Sequence, residues 1–495
     1  MKRARTSSTS DVGSPREMTA DMVELAFNPR KIPLDILPLI FEHLVDRRDL
    51  HVCAQLCSTF HAAATPLLYR TLDSRVRKTR LGRPVVCHPA GTLLKKPEYA
   101  KYVRHVRETG AIGFSKPELL HDCQQAVKLC TNIQSFSWSD QSPDASHNDE
   151  VLLAFLNILQ TLKLKQLTIR TYLSLGEEVW DKLQEFRGLT KVALWVMEGP
   201  PRVLQGWSEH LGSTLTHLEL GVGVVSSHIT HHRSHSQLSM QRSAGVPASI
   251  LISVFSHLTH LRSLRLKGAP TSAILEILRT LPKLESLDTE YFGSGLSHWP
   301  AEPTARLREL TVRTSSIDVQ GPQQLWSWIL QLLPHPSLQS FTLNAFSTQG
   351  DAPLPRRFLL DMAKTHGTTL THFNVSSALL TLDDVECLCT IFPALETLSC
   401  SLAFCQEAKQ VEAATVNGRN LRELRLHTSW VPSRYGTEQV TIPFALENAR
   451  TLMLREKSRI RVIGVGRELY TGQWVRHASR DELVFEVVRD IVYDA

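Results

Sequence analysis

The sequence predicts an α/β chain in which a short three-helix unit precedes a long, irregular solenoid of alternating strands and helices. Two patterns and one exclusion lead there. Three short amphipathic helix patterns crowd into residues 32–72. Beyond them, the six-residue pattern apolar-x-x-apolar-x-apolar recurs down the chain. No run approaches the roughly 18–20 apolar residues of a membrane helix, and the richest, Val151–Leu159, is interrupted by Asn157. A chain of 495 residues, 42% hydrophobic and 21% charged, is too apolar to be wholly disordered. It is also too long for one ordinary compact domain, which leaves several domains or one elongated array.

Residues 1–28 are rich in Ser, Thr and charge and read as a disordered tail. Their basic start lacks the apolar core of a secretory signal. Lys2-Arg3-Ala4-Arg5 is a weak import-like cluster, and Ser14-Pro15 a weak phosphorylation motif.

Residues 29–72 carry the helical patterns. Leu37, Ile40, Phe41 and Leu44 share one helical stripe. Asp35 is the expected N-cap, which would place Pro38 at the third helical position, where no intrahelical N–H bond is lost. A second pattern opens at Asp49, another cap candidate, with Leu50, Cys53, Leu56, Cys57 and Phe60 at helical spacing. The third runs from Ala62 to Tyr69. A unit this short buries too little apolar surface to be comfortable alone and should lean on a neighbour or a partner.

The series Ile32-Pro33-Leu34-Asp35-Ile36-Leu37, Ile40-Phe41-Glu42-His43-Leu44, Asp49-Leu50-His51-Val52-Cys53, Leu56-Cys57-Ser58-Thr59-Phe60 and Pro66-Leu67-Leu68-Tyr69-Arg70 resembles an F-box. Ile32 stands where that family more often has Leu, and Pro38 falls inside the first helix. The resemblance implies docking onto the Skp-type adaptor of a cullin–RING ubiquitin ligase. The positions carried over are Ile32, Pro33, Leu37, Ile40, Leu44, Leu50, Leu56 and Cys57.

Residues 73–102 read as a basic linker. The whole chain has a net charge of +6, yet the span Arg70–Arg107 alone holds an excess of nine positive charges. Contact with phosphate or acidic protein is one reading of that excess. Only Tyr99 and Tyr102 interleave with the charge, whereas nucleic-acid surfaces are richer in aromatics, so a solubilising linker is preferred.

Residues 103–480 are read as the solenoid. Clear copies of the pattern are Leu189-Val192-Leu194, Leu215-Leu218-Leu220, Leu261-Leu264-Leu266, Leu307-Leu310-Val312, Leu338-Phe341-Leu343, Leu370-Phe373-Val375 and Leu421-Leu424-Leu426. Looser ones start at Ile133, Leu164, Leu284, Leu395 and Ile460. Most steps between copies are 23–32 residues, enough for one strand and one helix. Helical patterns at Ile250–Leu258, Ala273–Leu281, Leu325–Leu333, Phe358–Ala363 and Val385–Phe392 fill the intervals. Over residues 103–466 the array resembles leucine-rich repeats and implies parallel strands in a curved solenoid. The family's Asn after the last Leu is replaced by Gly223, Ala269, Ser315, Phe346 and Ser429, so irregular repeats are expected. The one long step, 46 residues, contains an insertion loop at 222–247. Residues 481–495 read as a C-terminal tail.

In each strand the residues flanking the middle apolar position point away from the core. The following column is Glu219, Arg265, Asp288, Thr311, Thr342, Asn374, Ser399 and Arg425, expected on the concave face. It is polar and mixed in sign, which suits a protein target better than nucleic acid.

The sequence carries no complete catalytic or metal-binding motif. His228, His231, His232 and His235 cluster in the insertion loop without Cys or carboxylate partners at zinc-site spacing. Gly221-Val222-Gly223 and Gly464-Val465-Gly466 are incomplete dinucleotide fingerprints. Asp140, Asp144, Asp149 and Glu150 read as a solvated acidic loop. No cofactor, no metal and no catalysis by this chain are expected. Nine scattered cysteines lack a disulfide framework, which points to the cytoplasm or nucleus.

The function expected is therefore a substrate-recognition subunit of an SCF-type ubiquitin ligase, with an unidentified protein target and no membrane or nucleic-acid partner. The alternative is a ligase-independent repeat scaffold whose F-box-like segment is only a cap.

Overall fold

A computed structural model describes residues 33–44, 46–78, 84–113, 117–140, 148–171, 174–196, 204–222, 248–292, 305–316, 322–347, 354–402, 405, 407–428, 430–433, 436–439, 444–477 and 482–491. The expected tail at 1–28, Ile32, Asp144, Ser429 and the histidine-bearing insertion from residue 223 to 247 lie outside them. The chain divides into two compact units, Met1–Thr71 and Leu72–Ala495.

In the first unit a 3-10 turn, Leu34–Ile36, leads into helix α1 (Leu37–Glu42), followed by α2 (Arg47–Leu56) and α3 (Ser58–Leu68). Asp35 lies in the turn and caps nothing, and Pro38 is the second residue of α1. The cap of α2 is Asp46, not Asp49: its backbone is extended, and its carboxylate accepts the Arg48 N–H at 2.8 Å. Cys57 is extended too, so the second helical pattern breaks there and Phe60 belongs to α3. Leu37, Phe41, Leu50, Ala63 and Ala64 form the small core. Phe60 joins it, with its ring 5.3 Å from that of Phe41.

The second unit is built on one 16-stranded sheet. Its strands are β1 (Thr71–Asp73), β4 (His105–Thr109), β5 (Ser135–Asp140), β6 (Gln166–Thr171), β7 (Lys191–Val196), β8 (His217–Val222), β9 (Ser263–Leu266), β10 (Ser286–Tyr291), β11 (Glu309–Ser316), β12 (Ser340–Ser347), β13 (His372–Leu380), β14 (Thr397–Leu402), β15 (Glu423–Thr428), β18 (Val462–Val465), β19 (Glu468–His477) and β20 (Glu482–Ile491). Two hairpins stand apart, β2 (Arg75–Lys78) with β3 (Pro84–Cys87), and β16 (Trp430–Ser433) with β17 (Gly436–Gln439). From β4 to β18 every neighbouring pair in the sheet is parallel, in chain order. The middle apolar residues stand in one row, for example Leu218 against Leu264, Leu264 against Leu287 and Leu310 against Phe341. Each is buried, as are the helix side chains that cover the row. Phe155 of the helix Asn148–Leu159 packs on Phe136, and Phe358 of the helix Arg356–His366 packs on Phe341.

The missing Asn ladder does not interrupt this sheet. A backbone ladder runs along the opposite end of the strands: Thr216 N–H donates to Thr190 C=O at 2.9 Å, Arg262 to Thr216 at 2.9 Å, and Glu285 to Arg262 at 2.8 Å. The series continues to Arg461 donating to Arg422 C=O at 2.8 Å. Main-chain groups thus connect the repeats whatever side chain follows the last Leu.

Two expected segments are folded otherwise. The basic linker 73–102 holds the β2–β3 hairpin, a helix (Ala90–Lys95) and a 3-10 helix (Pro97–Tyr102), with Ala90, Leu93 and Ala100 buried. Apolar residues spaced between the charges explain why it folds. The C-terminal tail contains β20, antiparallel to β19, with Phe485 buried. The acidic stretch is not a solvated loop throughout either: Asp140 ends β5 buried, and Asp149 accepts the Gly176 N–H at 2.7 Å.

Candidate functional site

Two surfaces carry the residues singled out by the sequence. The first is on α1–α3. Leu37 and Phe41, one turn apart, point into the core at 2% and 4% exposure. Ile36 and Ile40, one position earlier, point outward with Leu39, and Ile40 is 43% exposed. Leu34, Val52 and Leu56 are exposed as well, Leu56 at 65%. Among the described residues this unit therefore presents six large apolar side chains to solvent, a concentration that marks an interaction surface.

That arrangement divides the expected adaptor contacts. Pro33, Ile40, Leu56 and Cys57 are exposed and available. Leu37 and Leu50 are buried in the core and cannot face a partner, because a unit this small needs both to hold three helices together. Leu44 packs against that core from its edge. Leu34, Ile36, Leu39 and Val52 belong to the exposed set and were missed. Helical periodicity alone marks the face but not which of its residues is outermost. Arg47 anchors α2 to the end of α3 through its guanidinium, which donates to the carbonyls of Leu68 and Thr71.

The second surface is the sheet face opposite the buried row. All eight expected column residues stand in register: Glu219 pairs with Arg265, Arg265 with Asp288, Asp288 with Thr311, Thr311 with Thr342, Thr342 with Asn374, Asn374 with Ser399, and Ser399 with Arg425. They differ in access. Arg425 is exposed and most others are half-buried, but Ser399 is only 5% exposed and is paired with His427 Nε2 at 2.9 Å. A small side chain between two larger neighbours loses contact with solvent even on an open face.

Part of the charge on this face pairs internally. Arg313 grips Asp288 with both ends of its guanidinium, at 2.7 and 2.8 Å. Arg265 reaches the same carboxylate at 3.0 Å. The bidentate bond holds the Arg313 pKa above its already high usual value. Glu290, largely desolvated, is pushed upward by burial although it accepts the Gly268 N–H at 2.9 Å. Among the described residues no group of three or more His, Cys, Asp or Glu side chains could hold a metal ion. No helix described is long and apolar enough to cross a membrane.

The family described as F-box-like matches residues 30–75. No curated protein sequence matches the chain. Among solved structures, the Rad7–Elc1 complex in yeast is similar at 15% identity and a TM-score of 0.42, over 84% of this chain and 94% of that one. The TLR13–ssRNA13 complex is similar at 13% identity and a TM-score of 0.31, over 68% of this chain and 53% of that one. With its three helices, small core and exposed apolar stripe, the segment 30–75 is an F-box-like domain, and strand–helix repeats resembling leucine-rich repeats follow it.

Proposed function

We propose that the chain is the substrate-recognition subunit of an SCF-type cullin–RING ubiquitin ligase. The F-box-like domain would dock an Skp-type adaptor, and the open face of the repeat sheet would hold a protein target. The observation that carries this reading is the set of exposed apolar side chains on the 3-10 turn, α1 and α2, Leu34, Ile36, Leu39, Ile40, Val52 and Leu56, in a domain of that family. The chain would catalyse nothing itself. Its contribution is proximity, holding an acceptor lysine where a charged ubiquitin-conjugating enzyme can reach it. Such a role places it in the cytoplasm or nucleus.

Co-purification of the full chain with the adaptor and cullin tests the reading. The wild-type chain should retain both, and Leu39→Asp with Ile40→Asp should release both. A wild-type chain that enters no cullin complex would instead make it a ligase-independent scaffold.

A further inference from the structure

The open face carries one feature that neither the repeat pattern nor the F-box-like domain accounts for. Trp195, third outward residue of β7, lies against Gly221 of β8, where an added Cβ would sit 2.6 Å from Trp195 Cε3. Three cations surround its ring: Arg265 at 4.8 Å, Lys267 at 5.0 Å and Arg170 at 5.7 Å from the centroid. They come from β6 and from β9 with the residue just beyond it, so the sheet alone brings them together.

Gathering three cations at one indole costs electrostatic energy, and the local carboxylates balance it incompletely. Arg265 is held by Asp288, which Arg313 also occupies. Glu219 stands 3.8 Å from Arg265, too far for a hydrogen bond, and its enclosed Oε2 has no donor. Arg170 and Lys267 make no ion pair with any described carboxylate, and Arg170 is exposed. Burial depresses the Lys267 pKa, and the nearby charges of Glu290 and Asp288 offset that desolvation only in part. A network left partly satisfied on an accessible face is the arrangement that an incoming anion completes.

We propose that the Trp195 cluster is the anchor point for the protein target and that it takes an unmodified acidic segment, whose carboxylates enter between Arg170 and Lys267 across the indole. This inference rests on the target-binding role proposed for the same face. Charge along the sheet selects the occupant. Strands β6–β9 carry the outward cations Arg170, Lys191 and Arg265, with Lys267 beside them, and only Glu219 as an outward acid, the further acids Asp288 and Glu290 coming from the neighbouring β10. On β10 and β11 the balance reverses, with Asp288, Glu290 and Glu309 against Arg313. A polyanionic nucleic-acid strand crossing the face would run into those acids, whereas a short acidic block followed by neutral residues would not.

The test uses the full chain and a fluorescein-labelled peptide with an Asp-Glu-Asp block followed by Ser and Thr residues, read by anisotropy. The matched controls are an Asn-Gln-Asn peptide, a phosphoserine peptide without the acidic block, and a labelled single-stranded oligonucleotide. Binding of the acidic peptide is expected, weakening with salt and by about tenfold or more in Arg170→Glu and in Lys267→Glu, with a similar loss in Trp195→Ala. Arg170 is exposed, so Arg170→Glu separates lost binding from lost folding. Equal binding of the amide peptide, no loss in Arg170→Glu, or tighter binding of the phosphopeptide or oligonucleotide than of the acidic peptide would overturn the proposal. Adaptor co-purification of the same variants keeps the two readings apart. Retained adaptor without acidic-peptide binding sinks the anchor alone, and peptide binding without a cullin complex sinks the ligase role alone.

Discussion

His88 Nε2 lies 3.0 Å from Glu108 Oε1, and neither side chain reaches solvent. His88 Nδ1 accepts the Ala90 N–H at 3.0 Å, which assigns the ring proton to Nε2 and makes the imidazole a donor to the carboxylate. The other oxygen of Glu108 accepts from Ser74 Oγ. This buried set ties the segment before β4 to β4 itself, within the stretch whose charge suggested a linker.

Removing the donor while keeping the acid should therefore be costly. His88→Ala is expected to lower unfolding stability by about 3–5 kcal/mol, because it leaves a buried carboxylate short of a partner. The double variant with Glu108→Leu should recover part of that loss. Denaturant unfolding of the full chain, read at the first transition affecting the repeat unit, checks both.

On the F-box-like domain, core and surface substitutions should separate. Leu37→Ala is expected to cost about 2–5 kcal/mol and to abolish adaptor binding by unfolding the three helices. Leu39→Asp should leave the helical circular dichroism unchanged and still abolish co-purification. Retained adaptor in Leu39→Asp would mean that the docking face lies elsewhere on the domain.

Stability should fall on mild acidification, and His366 should account for part of it. It is 1% exposed, accepts the Leu338 N–H at 3.4 Å and contacts the Leu333 carbonyl at 3.2 Å. Burial, the largest influence, holds its pKa below the usual histidine value, so the unfolded chain binds this proton first. The contribution is thus complete above the ordinary histidine pKa and is lost as pH falls below it, by at most about 1.4 kcal/mol per pH unit. His366→Gln should show a shallower decline between neutral and mildly acidic pH. An unchanged slope would contradict the assignment.

At the far end, Gly472 permits β19 to pass beneath Phe485 and Met453. An added Cβ would meet the Phe485 ring and come within 2.6 Å of Met453 Sδ. Gly472→Ala is expected to destabilise the C-terminal hairpin by about 1–3 kcal/mol through overpacking. Hydrogen exchange should report the change as lost protection in β19 and β20 with little effect on β9–β12.

The sequence by itself determined the repeat. A buried leucine row with a side-chain period of two leaves one workable register, and each of the twelve copies found by pattern forms a strand in that row. The same period placed Glu219 to Arg425 in one outward column. Local periodicity was also enough to mark the F-box-like helices, whereas Leu37 and Leu50 were carried over as docking positions by the family resemblance, and only packing decides which edge of an apolar stripe is covered. The strand Glu482–Ile491 was illegible because alternation in one isolated segment is a weak signal without its antiparallel partner β19. What only the tertiary structure decided is lateral neighbourhood. Arg170, Trp195, Gly221, Arg265 and Lys267 lie in four separate repeats, and nothing in their own windows sets them apart. They meet because parallel pairing carries residues from successive repeats side by side, so a cluster across strands arises from register and cannot be read from any single stretch of chain.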